Sequence, residues 1–170
     1  MGCVITRDLD YDPPPNLPPS VEDPRTPADH PMSRIVEWRS DGVAGPDAGV
    51  PELTLQAVVR DPNLDQELRW QAYLDFRPEE FPPDNPFASG VLPPEGDETP
   101  SERALQVDVP TGLLTPGCHR VEVLVSERFR EPPFQREPAD GDGRDIGVGV
   151  WWIAAFEGDN PVDMLGCDFR

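Results

Sequence analysis

From residue 34 onward the apolar positions recur every second residue. Leu53, Leu55, Ala57 and Val59 alternate with Thr54, Gln56, Val58 and Arg60. After a turn at Asp61-Pro62-Asn63-Leu64-Asp65, Leu68, Trp70, Ala72, Leu74 and Phe76 alternate with Arg69, Gln71, Tyr73 and Asp75. Leu105, Val107 and Val109 flank Gln106 and Asp108, and Val121, Val123 and Val125 alternate with Glu122, Leu124 and Ser126. Near the end, Ile146, Val148, Val150, Trp152 and Ala154 alternate with Gly147, Gly149, Trp151 and Ile153. Arg34-Ile35-Val36-Glu37-Trp38 makes a short first element. Period two sends successive side chains to opposite faces, so each run predicts a strand with one buried face. No segment keeps a helical period over three turns, and residues 62–70 support one helical turn at most. In the last strand, the expectation is that Ile146, Val148, Val150 and Trp152 face the core. Gly147, Gly149, Trp151 and Ile153 then share the opposite, flatter face.

The segments between these runs are rich in proline. Residues 4–33 hold Pro13-Pro14-Pro15, Pro18-Pro19, Pro24, Pro27 and Pro31. They read as an extended polyproline tether of up to about 85 Å at about 3.1 Å per residue. A competing reading packs Leu17 to Val21 on the domain as a strand. The connection from Arg77 to Pro100 is long, proline-rich and expected to lack regular structure, a feature often tied to function. Its Phe81 and Phe87 either lie on a sheet face as a lid or stay outward as anchors. Tryptophan is enriched among residues that dominate interfaces, so the partner-binding candidates are Trp151, Ile153, Phe81 and Phe87. The division is 1–33 as anchor and tether, 34–156 as the folded domain, and 157–170 as a C-terminal tail.

Composition narrows the partners. The chain has 170 residues, 33 acidic against 14 basic, and a formal net charge of −19. That charge repels nucleic-acid phosphates and anionic lipid, which argues against both as partners. No run of 18 apolar residues predicts a membrane-spanning helix. All basic residues are arginine, a bias that points to a GC-rich bacterial genome.

Six or more short strands between proline- and glycine-rich turns imply an all-β fold of the β-sandwich type. Two stretches resemble bacterial immunoglobulin-like domains, including those called PKD-like. Val59 to Asp75 looks like a strand, an Asp-Pro-Asn turn and a strand bearing a core tryptophan. Leu114-Thr115-Pro116-Gly117-Cys118-His119-Arg120-Val121 looks like a Pro-Gly corner leading into a later strand. The resemblance covers about residues 34–156. It implies an immunoglobulin-like antiparallel β-sandwich of about seven strands, and it is nearly silent on activity.

At the other end, Gly2-Cys3 resembles the close of a bacterial lipobox, whose hydrophobic segment would lie upstream of Met1. The resemblance implies acylation of Cys3 and a membrane anchor in the bacterial cell envelope. Val4 stands where an inner-membrane retention signal would place Asp, which points to the outer membrane. In such an exported chain the odd cysteine count is explained by lipid on Cys3 and a Cys118–Cys167 disulfide. A bridge closing about 50 residues stabilises by about 4 kcal/mol in the chain-entropy account and would pin the tail to the domain. A competing reading takes Met1-Gly2-Cys3-Val4-Ile5-Thr6 as an N-myristoylation signal with Cys3 palmitoylated. The acidic residues Asp8, Asp10, Asp12, Glu22 and Asp23 that follow suit an anionic cytoplasmic leaflet poorly. An unmodified N-terminus and free thiols in a reducing cytosol are the remaining alternatives.

Catalytic chemistry finds little support. There are two histidines, His30 in the tether and His119 at the start of a strand, where a corner-tying role is expected. Cys118 and His119 are adjacent, but zinc needs further ligands at workable spacing. Asp140, Asp142 and Asp145 begin like a calcium loop, with carboxylates at alternate positions. Arg144 then takes the fifth position, and Trp151 stands where a bidentate Glu belongs. Carboxylate pairs can be drawn freely among so many acids, without a pocket to favour one. The expected function is therefore a non-catalytic, lipid-anchored envelope protein. It would bind or scaffold an envelope protein partner, as an accessory subunit of a membrane-associated assembly, with no cofactor beyond the lipid. One alternative is a glycan-binding module using Trp151, Tyr73 and Trp38 as a platform. Another is a carboxylate-based hydrolase.

Overall fold

The computed structural model describes residues 17–25, 29–40, 52–63, 66–75, 85–94, 102–131, 136–139 and 145–157. These form eight strands: β1 (Ser20–Glu22), β2 (Ile35–Ser40), β3 (Glu52–Arg60), β4 (Leu68–Leu74), β5 (Ala88–Leu92), β6 (Glu102–Pro110), β7 (Gly117–Ser126) and β8 (Gly147–Glu157). One 3-10 turn, Thr111–Leu113, links β6 to β7. The strands lie in two sheets, ordered β1-β3-β6 and β2-β8-β7-β4-β5. The all-β sandwich expected from period two is present, with all six expected strands in place.

The core is the sum of the inward faces. Leu53, Leu55, Ala57 and Val59 of β3 and Leu105, Val107 and Val109 of β6 meet Leu68, Ala72, Val121, Val123, Val125, Trp151 and Ile153 of the other sheet. Each fully buried Val or Leu contributes about 1.5–3 kcal/mol of transfer free energy. Those faces carry the fold.

Three features differ from the sequence reading. First, β1 pairs antiparallel with β3, from Ser20 opposite Arg60 to Glu22 opposite Val58. The folded layer therefore begins before residue 34: the end of the expected tether is a strand of the sandwich, as the competing reading of Leu17 to Val21 had it. Arg60 joins Glu22 at 3.5 Å and Glu102 at 3.0 Å, tying β1 and β6 to β3. Second, β2 pairs with β8 in parallel, not antiparallel, with Val36 opposite Ile153. The N-terminal stretch thus contributes β1 to one sheet and β2 to the other. Third, β5 lies inside the connection expected to lack regular structure and pairs with β4.

The faces of β8 are reversed from the expectation. Gly147, Gly149, Trp151 and Ile153 face inward, while Val148 is 47 % exposed. The cause is the N-terminal segment passing over this end of β8. A Cβ on Gly147 would meet the Pro19 carbonyl oxygen at 2.5 Å, and one on Gly149 would meet Val21 Cγ1 at 2.7 Å. Only glycine permits that approach. The closely packed chain then continues past Trp151, whose indole N–H donates to the His30 carbonyl at 3.1 Å.

A polar plug closes one end of the sandwich. Arg103 sits on the inward face of β6 and is 3 % exposed, with Asp61 1 % exposed beside it. One Arg103 guanidinium nitrogen donates to the Leu92 carbonyl at 3.3 Å, and the other lies 3.8 Å from Asp61 Oδ2. Asp61 Oδ1 accepts from the Asn63 backbone N–H at 2.9 Å, and the Asn63 side chain donates to the Leu17 carbonyl at 3.2 Å. The Asp-Pro-Asn turn thereby holds β3, β5, β6 and the N-terminal segment together.

Candidate functional site

The densest polar geometry lies where β4 ends and β7 begins. β4 closes at Asp75, which adopts a left-handed conformation with φ of 51°. Aspartate tolerates that region because its short side chain bonds locally. Asp75 donates its backbone N–H to the Arg120 carbonyl at 2.8 Å and accepts the Arg120 N–H on Oδ1 at 2.8 Å. Its other oxygen, Oδ2, is 2.6 Å from His119 Nδ1. On its far side, His119 Nε2 is 2.6 Å from the Thr115 carbonyl. A carboxylate and a carbonyl both only accept, so both ring nitrogens must donate to satisfy them. That is the doubly protonated imidazolium. The hydrogen bond to Asp75 raises the His119 pKa above its ordinary value, burial opposes it, and the Thr115 carbonyl adds to the rise. The raised pKa favours that charged form, and His119 ties a corner, the structural role expected for it. Its two nitrogens are engaged, which leaves neither to act as a base.

Next to it, Cys118 is disulfide-bonded. It sits opposite Ala154 of β8, on the outer face of the five-stranded sheet. Its candidate partners, Cys3 and Cys167, both lie outside the described residues.

The outer face of the same sheet carries a second network. Tyr73 is fully buried there because the Arg136 guanidinium lies over its ring, 4.3 Å from the centroid. Burial pushes the Tyr73 pKa up to about 12, with Arg136 opposing the rise. Arg136 also donates to Glu122 at 2.7 Å, and Arg120 donates to the other Glu122 oxygen at 2.9 Å. These contacts clamp a hairpin to the sheet. Its strands meet at the Phe129–Pro138 bridge, with Arg130 N–H donating to the Glu137 carbonyl at 2.9 Å. Between this hairpin and β4–β5 runs a groove of about 330 Å³, lined in part by Arg69, Ser89, Val91, Phe129, Arg130 and Glu131.

The residues singled out from sequence fare unequally. Trp151 is 0 % exposed and Ile153 is also buried, so neither is an outward anchor. The reversal of β8 places both in the core. Phe87 is partly buried against the core, as a lid residue would be. Phe81, Asp140 and Asp142 lie outside the described residues, and Asp145 stands half-buried just before β8. The glycan platform is dispersed: Trp151 and Tyr73 are buried and Trp38 packs partly against the core. Sequence reasoning missed Arg103 with Asp61, and Arg136 over Tyr73. Each pairs groups far apart in the chain, so no local pattern marks them.

The chain matches no protein-family model, and comparison with curated proteins and with solved structures finds no match either.

Proposed function

We propose that this chain is an exported, lipid-anchored protein of the bacterial envelope. Its immunoglobulin-like sandwich binds or scaffolds an envelope protein and performs no catalysis. The observation that carries this reading is the disulfide at Cys118. Structural disulfides form and persist in oxidising compartments. Pairing Cys118 with Cys167 leaves Cys3, behind Gly2, as the acylated residue and the membrane attachment. The strand order also supports the immunoglobulin-like assignment. What supports it is the division of the strands into two packed sheets, with the N-terminal stretch contributing β1 to one and β2 to the other. The engagement of both His119 nitrogens supports a structural rather than catalytic corner.

Detergent phase partition of the native host's protein tests the reading. Wild-type chain is expected in the detergent phase, and Cys3→Ser in the aqueous phase. Wild-type chain in the aqueous phase would overturn the anchor.

A further inference from the structure

The outer face of the five-stranded sheet is apolar along β8. Val148, Val150, Trp152, Ala154 and Phe156 point outward there, because Trp151, Ile153 and Ala155 between them join the core. On the flanking strands, Cys118 of β7 stands opposite Ala154, Arg120 opposite Trp152, and Arg39 of β2 opposite Phe156. The Arg39 guanidinium lies over the Phe156 ring, 5.2 Å from its centroid. This face is unevenly covered. Val148, at the end away from Cys118, is 47 % exposed. Ala154, beside Cys118, is 1 % exposed, and Trp152 and Phe156 around it are partly buried. Arg39, Arg120, Trp152 and Phe156 each engage a further partner beyond these contacts. The covered part of the face is therefore the part next to the disulfide.

Topology selects what covers it. β8 ends at Glu157, three residues past Ala154, which is about 10 Å of strand from the level of Cys118. Cys167 follows Glu157 by ten residues, an extended reach of about 33 Å that lets the chain leave β8, turn and come back to Cys118. Cys3 is placed far less well. Leu17 accepts from the Asn63 side chain at the turn between β3 and β4. β4 runs from that turn to Asp75, which bonds Arg120, so Leu17 and Cys118 mark opposite ends of the sandwich. β1, just after Leu17, also belongs to the other sheet. From Leu17 to Cys3 the chain would have to run nearly straight along the whole sandwich and then round its edge. Composition agrees with the C-terminal segment. Val162, Met164 and Leu165 match the apolar face, and Asp159 and Asp163 match Arg39 and Arg120.

We propose that residues 158–167 form a strap across the outer face of β8, fastened by a Cys118–Cys167 clasp. Met164 and Leu165 lie against Trp152 and Phe156, and the strap's acids face Arg39 and Arg120. Removing that aromatic surface from water stabilises the docked strap, and the clasp keeps it close to its face. While the clasp is closed, the strap and not a partner occupies this part of the sheet. The inference rests on the cysteine pairing of the reading above and adds the surface that the tail occupies.

The test uses the full oxidised chain labelled with fluorotryptophan. Fluorine NMR resonances of Trp151 and Trp152 are assigned by Trp151→Phe and Trp152→Phe. The difference in each shift between light and heavy water reports solvent exposure. With Cys118→Ser and Cys167→Ser together, the solvent shift of Trp152 is expected to rise, while that of Trp151, in the core, stays constant. Met164→Ser with Leu165→Ser keeps both cysteines and is expected to raise the Trp152 value too, which separates docking of the strap from the clasp. Cys3→Ser is expected to leave Trp152 unchanged. A Trp152 value unchanged in either double variant, with Trp151 also constant, would overturn the strap. A rise in Cys3→Ser would overturn it by naming the N-terminal segment as the occupant, and a rise on diluting the wild type would do so by naming a second copy. A chain that partitions into detergent through Cys3 yet shows no change at Trp152 overturns the strap alone. Loss of the anchor overturns the envelope reading and leaves the Trp152 result standing.

Discussion

His119→Gln is the most informative single perturbation. The native ring donates twice, at 2.6 Å to the Asp75 carboxylate and at 2.6 Å to the Thr115 carbonyl. A hydrogen bond to a charged group contributes about 1.5–3 kcal/mol and one between neutral groups about 0.5–1.5 kcal/mol. Asp75 is 42 % exposed and keeps its bond from the Arg120 N–H, so water and that bond offset part of the loss. Thr115 gains no such replacement from the chain. The expected net cost is about 2–3 kcal/mol at pH 6, or about 4–12 °C in Tm for a domain of this size. The pH dependence has a definite sign. The folded-state pKa of His119 is raised above the unfolded value. Its stabilisation is therefore fully present below pH about 6.5 and is lost as pH rises through the folded pKa. Thermal unfolding followed by circular dichroism between pH 6 and pH 10, at constant ionic strength, reads this directly. The gap between wild type and His119→Gln should be widest at the acid end and shrink with rising pH. Parallel profiles, or a gap that widens with pH, would refute the imidazolium and with it the corner argument.

Three further outcomes follow from the packing. Gly149→Val should destabilise by about 1–3 kcal/mol by overpacking against Val21 and Met32, and should expose the segment before residue 34 to proteolysis. Arg103→Met should cost about 3–5 kcal/mol because it strands the buried Asp61 carboxylate. Adding Asp61→Asn should cost less than the two single losses combined, a coupling that denaturant unfolding of the four variants resolves. Trp151→Phe keeps most of the ring volume and removes the donor to His30, so it should cost about 1 kcal/mol beyond repacking, whereas Trp151→Ala should cost about 3–5 kcal/mol.

Much of the sandwich was legible because period-two alternation marks its strands, most plainly where one face is polar. β3 and β6 are the clearest, with Leu53, Leu55 and Val59 alternating against Thr54, Gln56 and Arg60. β1 was legible only as the competing reading of Leu17 to Val21, and β5 was not legible as a strand. One has three residues between prolines, and the other is built of small residues with a central glycine, which strand propensity disfavours. The facing of β8 was undetermined by alternation, since both of its faces are apolar or small. A contact with Pro19 and Val21, more than a hundred residues away in the chain, decides it. That same contact removed Trp151 and Ile153 from the surface. The corner role of His119 could be read from its place at the start of β7. Its partner Asp75, 44 residues earlier, could not, because nothing local distinguishes it from the chain's other acids.

The account turns on which cysteines are paired and which carries lipid. Intact mass and disulfide mapping of protein taken from the native host's membrane fraction, with and without reduction and alkylation, decide it in one measurement. The account predicts an N-terminal peptide beginning at Cys3 with an acyl increment, and one Cys118–Cys167 bridge. A Cys3–Cys118 bridge, a myristoylated Gly2, or three free thiols would contradict it.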